Sequence, residues 1–213
     1  MHIDKEFLII SEFEVANENI FLKGKPFKKP SKAIKYRSKE HLVKLLYTFK
    51  NSRPDTKKEV KKNKQVIPDN AVYEFIGAKF NFKFSKIENV KYHHNIAMDA
   101  ENKIGYLLEE YIYQNIRDNG WIWCTGSILR SIDFIKKESK NKKIIWKMLQ
   151  VKNSDNSENS SSNKVRDNTP IEHWFRRFSK KDEYNWSVLK EITNSENLSE
   201  DNFLEFLRIK AKT

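Results

Sequence analysis

The period of the apolar pattern changes at Gly120, and this change constrains the fold more than any other feature of the chain. Before it, Ile104, Leu107, Leu108, Tyr111, Ile112 and Ile116 recur at helical spacing, and Asn119-Gly120 supplies a C-terminal stop. After it, Trp121-Ile122-Trp123-Cys124, Ile128 to Lys137 and Ile144 to Asn153 read as three strands, with the polar stretch Glu138 to Lys143 as the turn between the last two. A helix feeding strands points to an α/β fold of the mixed α+β kind, a central sheet flanked by helices.

Elements on either side are helical by the same criteria. Ser38 to Lys50 places Leu42, Leu45, Leu46 and Phe49 on one side, and Pro68-Asp69 opens a second helix through Ala78. Residues 1–95 therefore read as a basic, mainly helical N-terminal portion, and 96–213 as the core with C-terminal helices. In the latter, Thr169-Pro170-Ile171-Glu172 has the form of a capping box with proline at the first helical position. It predicts a helix burying Ile171, Trp174, Phe175 and Phe178, with His173, Arg176, Arg177 and Lys180 opposite. A last helix runs from Ser199 to about Lys210, with Phe203, Phe206 and Leu207 apolar.

Composition narrows the function. The 213 residues are 38% hydrophobic and 13% aromatic, enough to close a core although a third are charged. The single Cys124 excludes an intrachain disulfide framework and suits a reducing cytoplasm. Five glycines, none spaced as GxGxxG or GxxxxGK, leave no phosphate-cradling loop. The N-terminal apolar run, Phe7 to Ile10, is too short for a signal segment or a membrane span, so a cytoplasmic location is expected.

The net charge of +12 is regional: residues 1–20 hold one base and five acids, whereas residues 21–95 hold twenty bases and six acids. One run, Lys23, Lys25, Lys28, Lys29, Lys32, Lys35, Arg37 and Lys39, contains no acid; a second comprises Arg53, Lys57, Lys58, Lys61, Lys62 and Lys64. Pro26, Pro30 and Pro54 make these extended segments rather than long helices. A polyanion suits such a surface, because each cation that neutralises a phosphate releases a counterion. A merely solubilising lysine-rich surface accounts for the charge equally well.

Chemistry concentrates in the hairpin. Opposed residues of an antiparallel pair share one index sum, so centring the turn between Asn141 and Lys142 sets Asp133 across from Gln150. Strand alternation then puts Lys152 on the same face as Gln150. Asp133 and the Gln150 amide oxygen, with the Val151 carbonyl, form a hard oxygen set for Mg²⁺, and Lys152 is placed to lower the pKa of an attacking water. A glutamate of the preceding helix completes the set: Glu109, from the pattern Gly105-x-x-x-Glu109, ahead of Glu101. The same three hairpin residues also arise as an ordinary solvent-facing ion pair. Against that, an Asp inside the apolar run Ile132-Asp133-Phe134-Ile135 is expensive to bury without a cation. His93-His94 invites a metal or HNH-type reading, but no Cys pair or matching downstream His follows. Cys124 and Trp174 read as core residues.

A helix with Gly-x-x-x-Glu followed by strands carrying Asp and Gln-x-Lys resembles the PD-(D/E)XK nuclease core, with Gln in place of the usual second acid. More specifically, AENKIGYLLEEYI (Ala100 to Ile112), GWIWCTGSILRSIDFI (Gly120 to Ile135), WKMLQVKNSDNSENSSS (Trp146 to Ser162) and IEHWFRRFSKKDEYNW (Ile171 to Trp186) resemble the SinI-like family of type II restriction endonucleases. The similarity extends from about Asn95 to the C-terminus, and residues 1–65 are not placed by it. It implies Mg²⁺-dependent cleavage of both strands of DNA at a short palindrome of the GGWCC type. It further implies a homodimer and a cognate DNA methyltransferase in the host. For DNA contact it directs attention to the loop after the third strand and the segment beyond it: Asn156, Glu158, Asn159, Lys164, Arg166, Arg176 and Arg177. Arginine is the usual bidentate partner of guanine and a carboxylate accepts from cytosine. The lysine-rich runs are better suited to phosphates than to bases.

Overall fold

Gly120 adopts the left-handed conformation (φ 84°) and closes a helical segment, from which the chain passes directly into the sheet. The computed structural model describes residues 2–22, 24–54, 71, 75, 78–79, 84–155 and 168–211. Among these, the elements are α1 (His2–Ala16), α2 (Lys39–Asn51), α3 (Phe84–Ile116), β1 (Trp121–Trp123), β2 (Phe134–Lys140), β3 (Lys143–Ser154), β4 (Glu172–Arg177), α4 (Trp186–Thr193) and α5 (Glu200–Lys210). The helix expected from Pro68 to Ala78 falls largely outside the described residues.

The chain forms two compact units, residues 1–56 with 108–213, and residues 57–107. The smaller unit contains the N-terminal part of α3, and the sequence-level division at residue 95 falls inside that helix. The larger unit holds the sheet, in the order β1-β2-β3-β4, with the first two pairings antiparallel and β3-β4 parallel. This is a mixed α+β architecture with a restriction-endonuclease-like core.

Ser38 caps α2 by accepting from the His41 N–H, and Ser199 caps α5 by accepting from the Asn202 N–H. The hairpin register is also as expected: Phe134 opposes Leu149, Ile135 opposes Met148 and Lys140 opposes Lys143. The turn is tighter than the six-residue polar stretch suggested. It consists of Asn141 and Lys142 alone, both left-handed (φ 52° and 62°), so the strands run through Glu138 and Lys143.

Two assignments change. The strand expected from Ile128 begins instead at Phe134, because Gly126, Ser127 and Ser131 have positive φ and break the extended run. Residues 128–130 bridge to the N-terminal region, with Phe27 opposite Leu129. The helix expected from Thr169 is strand β4. Its burial alternates, Trp174 and Arg176 inward and His173 and Arg177 outward, and its main chain completes the edge of β3, which a local capping pattern cannot offset.

Phe7, Ile10 and Phe13 of α1 and Leu45 and Phe49 of α2 pack with Ile122, Cys124, Ile135 and Met148 of the strands in one cluster. The N-terminal helices are thus part of the core of the larger unit. Each large side chain so enclosed contributes about 2–3 kcal/mol of apolar burial.

Candidate active site

Asp133 precedes β2 and is held from both neighbouring strands. Its N–H donates to the Leu149 carbonyl (2.9 Å), and its carbonyl accepts from the Cys124 N–H (2.8 Å). Its carboxylate Oδ2 accepts from the Val151 N–H at 2.8 Å. The side chain is therefore fixed against the segment of β3 that carries Gln150, which is buried, and Lys152, which is half-buried. Cys124 is enclosed, and burial raises its thiol well above the usual range, which removes it as a nucleophile at neutral pH.

Glu109, on α3 within the larger unit, approaches the same point. Desolvation pushes its carboxyl up to about 8, and the Asp133 charge adds to that rise; a hydrogen bond from Trp123 and the charge of Lys152 act in the opposite direction. Trp123 Nε1 donates to Glu109 Oε2 at 2.8 Å. Two carboxyls and an ammonium therefore interact at the end of β2 and β3. Glu101, the second choice from sequence, belongs to the smaller unit and is exposed.

Trp123 is in turn fixed by groups the sequence did not single out. Its ring lies over Phe134 and against Tyr113 (centroids 6.4 and 5.6 Å), and its carbonyl accepts from Arg53 Nη2 at 2.8 Å. Arg53 is buried and pairs with Glu6 (2.5 Å), whose other oxygen accepts from the Tyr113 hydroxyl (2.8 Å). Arg53 is thereby withdrawn from the basic surface to which its sequence neighbours assigned it. Thus α1, the residue Arg53 just beyond α2, β1 and α3 meet in a chain of hydrogen bonds running from Glu6 to Glu109. Only the separations in sequence, 47 residues from Glu6 to Arg53 and 70 from Arg53 to Trp123, hid it.

The donor set suits a hard divalent cation. Among the described residues no three His, Cys, Asp or Glu side chains gather in a metal-binding group. Asp133 and Glu109 would instead be complemented by neutral oxygens of Gln150 and Val151, a set that leaves water on a Mg²⁺ ion. The raised Glu109 carboxyl fits this use: two carboxyls that repel each other without a cation are stabilised by one between them.

Of the residues selected for DNA contact, Asn156, Glu158, Asn159, Lys164 and Arg166 lie outside the described residues. Arg176 is buried; it donates to Asn153 Oδ1 (2.9 Å) and pairs with Glu200 (2.5 Å), which also accepts from Trp186 Nε1 (2.8 Å). Its guanidinium is thus committed to joining β4 to β3 and α5. Arg177 is exposed on the other face of β4, so the two arginines do not share the one surface that a helix would have given them. His93 and His94 are exposed on the part of α3 in the smaller unit.

Comparison with known proteins bears on the family of the whole chain. The family model described as SinI restriction endonuclease matches residues 3–211. The chain belongs to the SinI restriction endonuclease family. It is 40% identical over 169 residues to the type II restriction enzyme Eco47I of Escherichia coli, covering 79% of this chain and 71% of that protein. Against the type II restriction enzyme SinI of Salmonella infantis it is 40% identical over 168 residues, with the same coverage of each. The SinI family match includes α1 and α2, so the similarity extends beyond the core to the N-terminal region that sequence motifs left unplaced. Membership makes the chain a type II restriction endonuclease, a site-specific deoxyribonuclease. No helix among the described residues is long and apolar enough to cross a membrane.

Proposed function

We propose that this endonuclease hydrolyses a phosphodiester on each strand of a short palindromic DNA site, with Asp133, Gln150, Lys152 and Glu109 as its catalytic groups and Mg²⁺ as cofactor. The observation that carries this reading is the fixed Asp133 carboxylate, bonded to the Val151 N–H and close enough to Glu109 to raise its pKa, with the Lys152 charge acting on the same carboxyl in the opposite direction. Asp133, the Gln150 amide oxygen and the Val151 carbonyl would hold the metal, with Glu109 completing the charge. When bound, the metal supplies Lewis-acid polarisation of the phosphoryl oxygen. Lys152 orients the attacking water, favours its deprotonated form and offsets charge developing on the scissile phosphate. Trp123 keeps Glu109 aimed at the site rather than into solvent.

A palindrome offers two equivalent scissile bonds, and a homodimer with two-fold symmetry matches them. The sequence resemblance supports a site of the GGWCC type and a cognate methyltransferase that protects host DNA. The site is tested by digesting unmethylated plasmid and phage DNA with the purified protein in Mg²⁺ or in EDTA and sequencing the fragment ends. Discrete Mg²⁺-dependent fragments sharing one GGWCC-type palindrome are expected. Retardation of DNA without cutting would leave a non-catalytic nucleic-acid-binding protein.

A further inference from the structure

The fold sorts the described bases from Lys25 to Lys39 into two classes. Lys25 pairs with Glu18, and Arg37 pairs with Glu14 (2.8 Å) and Glu18 (3.0 Å), so these two bases bind the loop to the acidic face of α1. Lys28, Lys29, Lys32, Lys35 and Lys39 are exposed and make no ion pair among the described residues.

The loop that displays them is tied down at several points. Phe27 is in the core and Ile34 is buried. Tyr36 donates to Glu14 at 2.6 Å. His41 Nδ1 accepts from the Arg37 N–H (3.0 Å), so Nε2 carries the ring proton and donates to the Lys28 carbonyl (3.0 Å). The loop is also joined to the segment leading into Asp133. The Lys28 N–H donates to the Ile128 carbonyl (2.8 Å), and the Arg130 N–H donates to the Pro26 carbonyl (2.9 Å). Arg130 lies over the Phe21 ring and against Gly24, where φ is +93° and a Cβ would stand 2.3 Å from Nη1. A segment serving only solubility has no need of this anchoring. A surface that must meet a phosphate backbone in register with a cutting site does, because ordering it before binding lowers the cost of binding.

We infer that the loop between α1 and α2 is a phosphate clamp: Lys28, Lys29, Lys32 and Lys35 engage the backbone of duplex DNA and hold it in register with the Asp133 segment. The inference takes DNA as the partner from the endonuclease reading and is otherwise independent of the metal site. Its contacts are sequence-independent, so it contributes affinity and position rather than choice of site.

The test compares two variants of equal charge change, Lys28→Gln/Lys29→Gln/Lys32→Gln and Lys140→Gln/Lys142→Gln/Lys143→Gln. The second removes exposed lysines at the hairpin turn, about 20 Å along β2 from Asp133 at the usual rise per residue. Binding to a duplex carrying the cleavage site is measured by fluorescence anisotropy in EDTA across a salt series of about 50 to 200 mM. Each lost phosphate contact lowers the slope of log Kobs against log salt by about 0.9, so the loop variant is expected to lose about 1 to 2.7 and the hairpin variant much less. Single variants Lys29→Gln and Lys32→Gln, each expected to lose about 1, give the same reading should the triple variant fail to fold. Equal slopes for wild type and loop variant, or an equal loss from both triple variants, would overturn the clamp while leaving cutting by the wild type intact. Wild-type protein that neither binds nor cuts DNA would overturn both this inference and the endonuclease reading.

Discussion

Replacing Glu109 by Gln removes a carboxyl that is costly to ionise in the folded chain while keeping an oxygen to accept from Trp123 Nε1. In the unfolded chain this carboxyl loses its proton near 4.5, whereas in the folded chain burial and the Asp133 charge hold it up to about 8. As pH rises from 4.5 to 8 the unfolded state releases a proton that the folded state keeps, so the wild type loses stability across that window. Below the window both states are protonated and the cost disappears. The full separation, at about 1.4 kcal/mol per pH unit, sets a ceiling of about 5 kcal/mol. Glu109 is partly open to solvent, and screening brings the expected figure to about 1–3 kcal/mol. Urea unfolding in EDTA at pH 4.5, 6 and 8 reads this directly. Glu109→Gln is expected to match the wild type at the lowest pH and to exceed it increasingly toward pH 8, while losing Mg²⁺-dependent cutting. A stability difference independent of pH, or a variant less stable at pH 8, would refute the argument that this carboxyl is held against its own ionisation.

Three further outcomes follow from the same contacts. Trp123→Phe deletes the donor to Glu109 and is expected to weaken Ca²⁺ or Mg²⁺ binding in calorimetry by about 10- to 100-fold, the usual effect of losing a group that orients a ligand; unchanged affinity would remove Trp123 from that role. Arg53→Ala leaves Glu6 buried without its cation and is expected to cost about 3–5 kcal/mol in urea unfolding, with Glu6→Gln/Arg53→Met losing less. If the two variants were equally unstable, packing rather than charge would be the cause. Lys142→Gly relieves a left-handed lysine in the two-residue turn and is expected to stabilise by about 0.5–1 kcal/mol; a loss of stability would place the strain elsewhere.

What the sequence revealed and what it hid divides by distance along the chain. Asp133, Gln150 and Lys152 can be set on one patch from sequence because hairpin register is local: one index sum fixes every pair, and the observed ladder from Phe134–Leu149 to Lys140–Lys143 keeps it. The helix-to-strand change at Gly120 is local too. Strand β4 was misread because Thr169-Pro170-Ile171-Glu172 is a sound local start for a helix, whereas its strand character comes from pairing with β3. The burial of Arg176 likewise depends on Glu200, 24 residues later. Helix α1 carries Phe7, Ile10 and Phe13 on one face, but the buried Glu6 and Glu14 blur its apolar stripe, and the partners that make them tolerable are Arg53, Arg37 and Tyr36. Helix α4 is only eight residues long and buries Trp186, Leu189 and Thr193, too few positions to establish a period. Trp123 is fully enclosed, and its N–H bond to Glu109 depends on the rotation of α3 against β1, which no pattern within either element encodes.

Lys152 is half-buried, so its removal need not disturb the core, and its replacement bears squarely on the proposal that Asp133, Gln150, Lys152 and Glu109 hydrolyse the phosphodiester. Wild type and Lys152→Ala would be compared on unmethylated DNA containing the cleavage site, with Mg²⁺ for cutting and with EDTA for binding. The variant is expected to bind DNA with near wild-type affinity and to produce no fragments. Fragments at the wild-type rate from Lys152→Ala would contradict it.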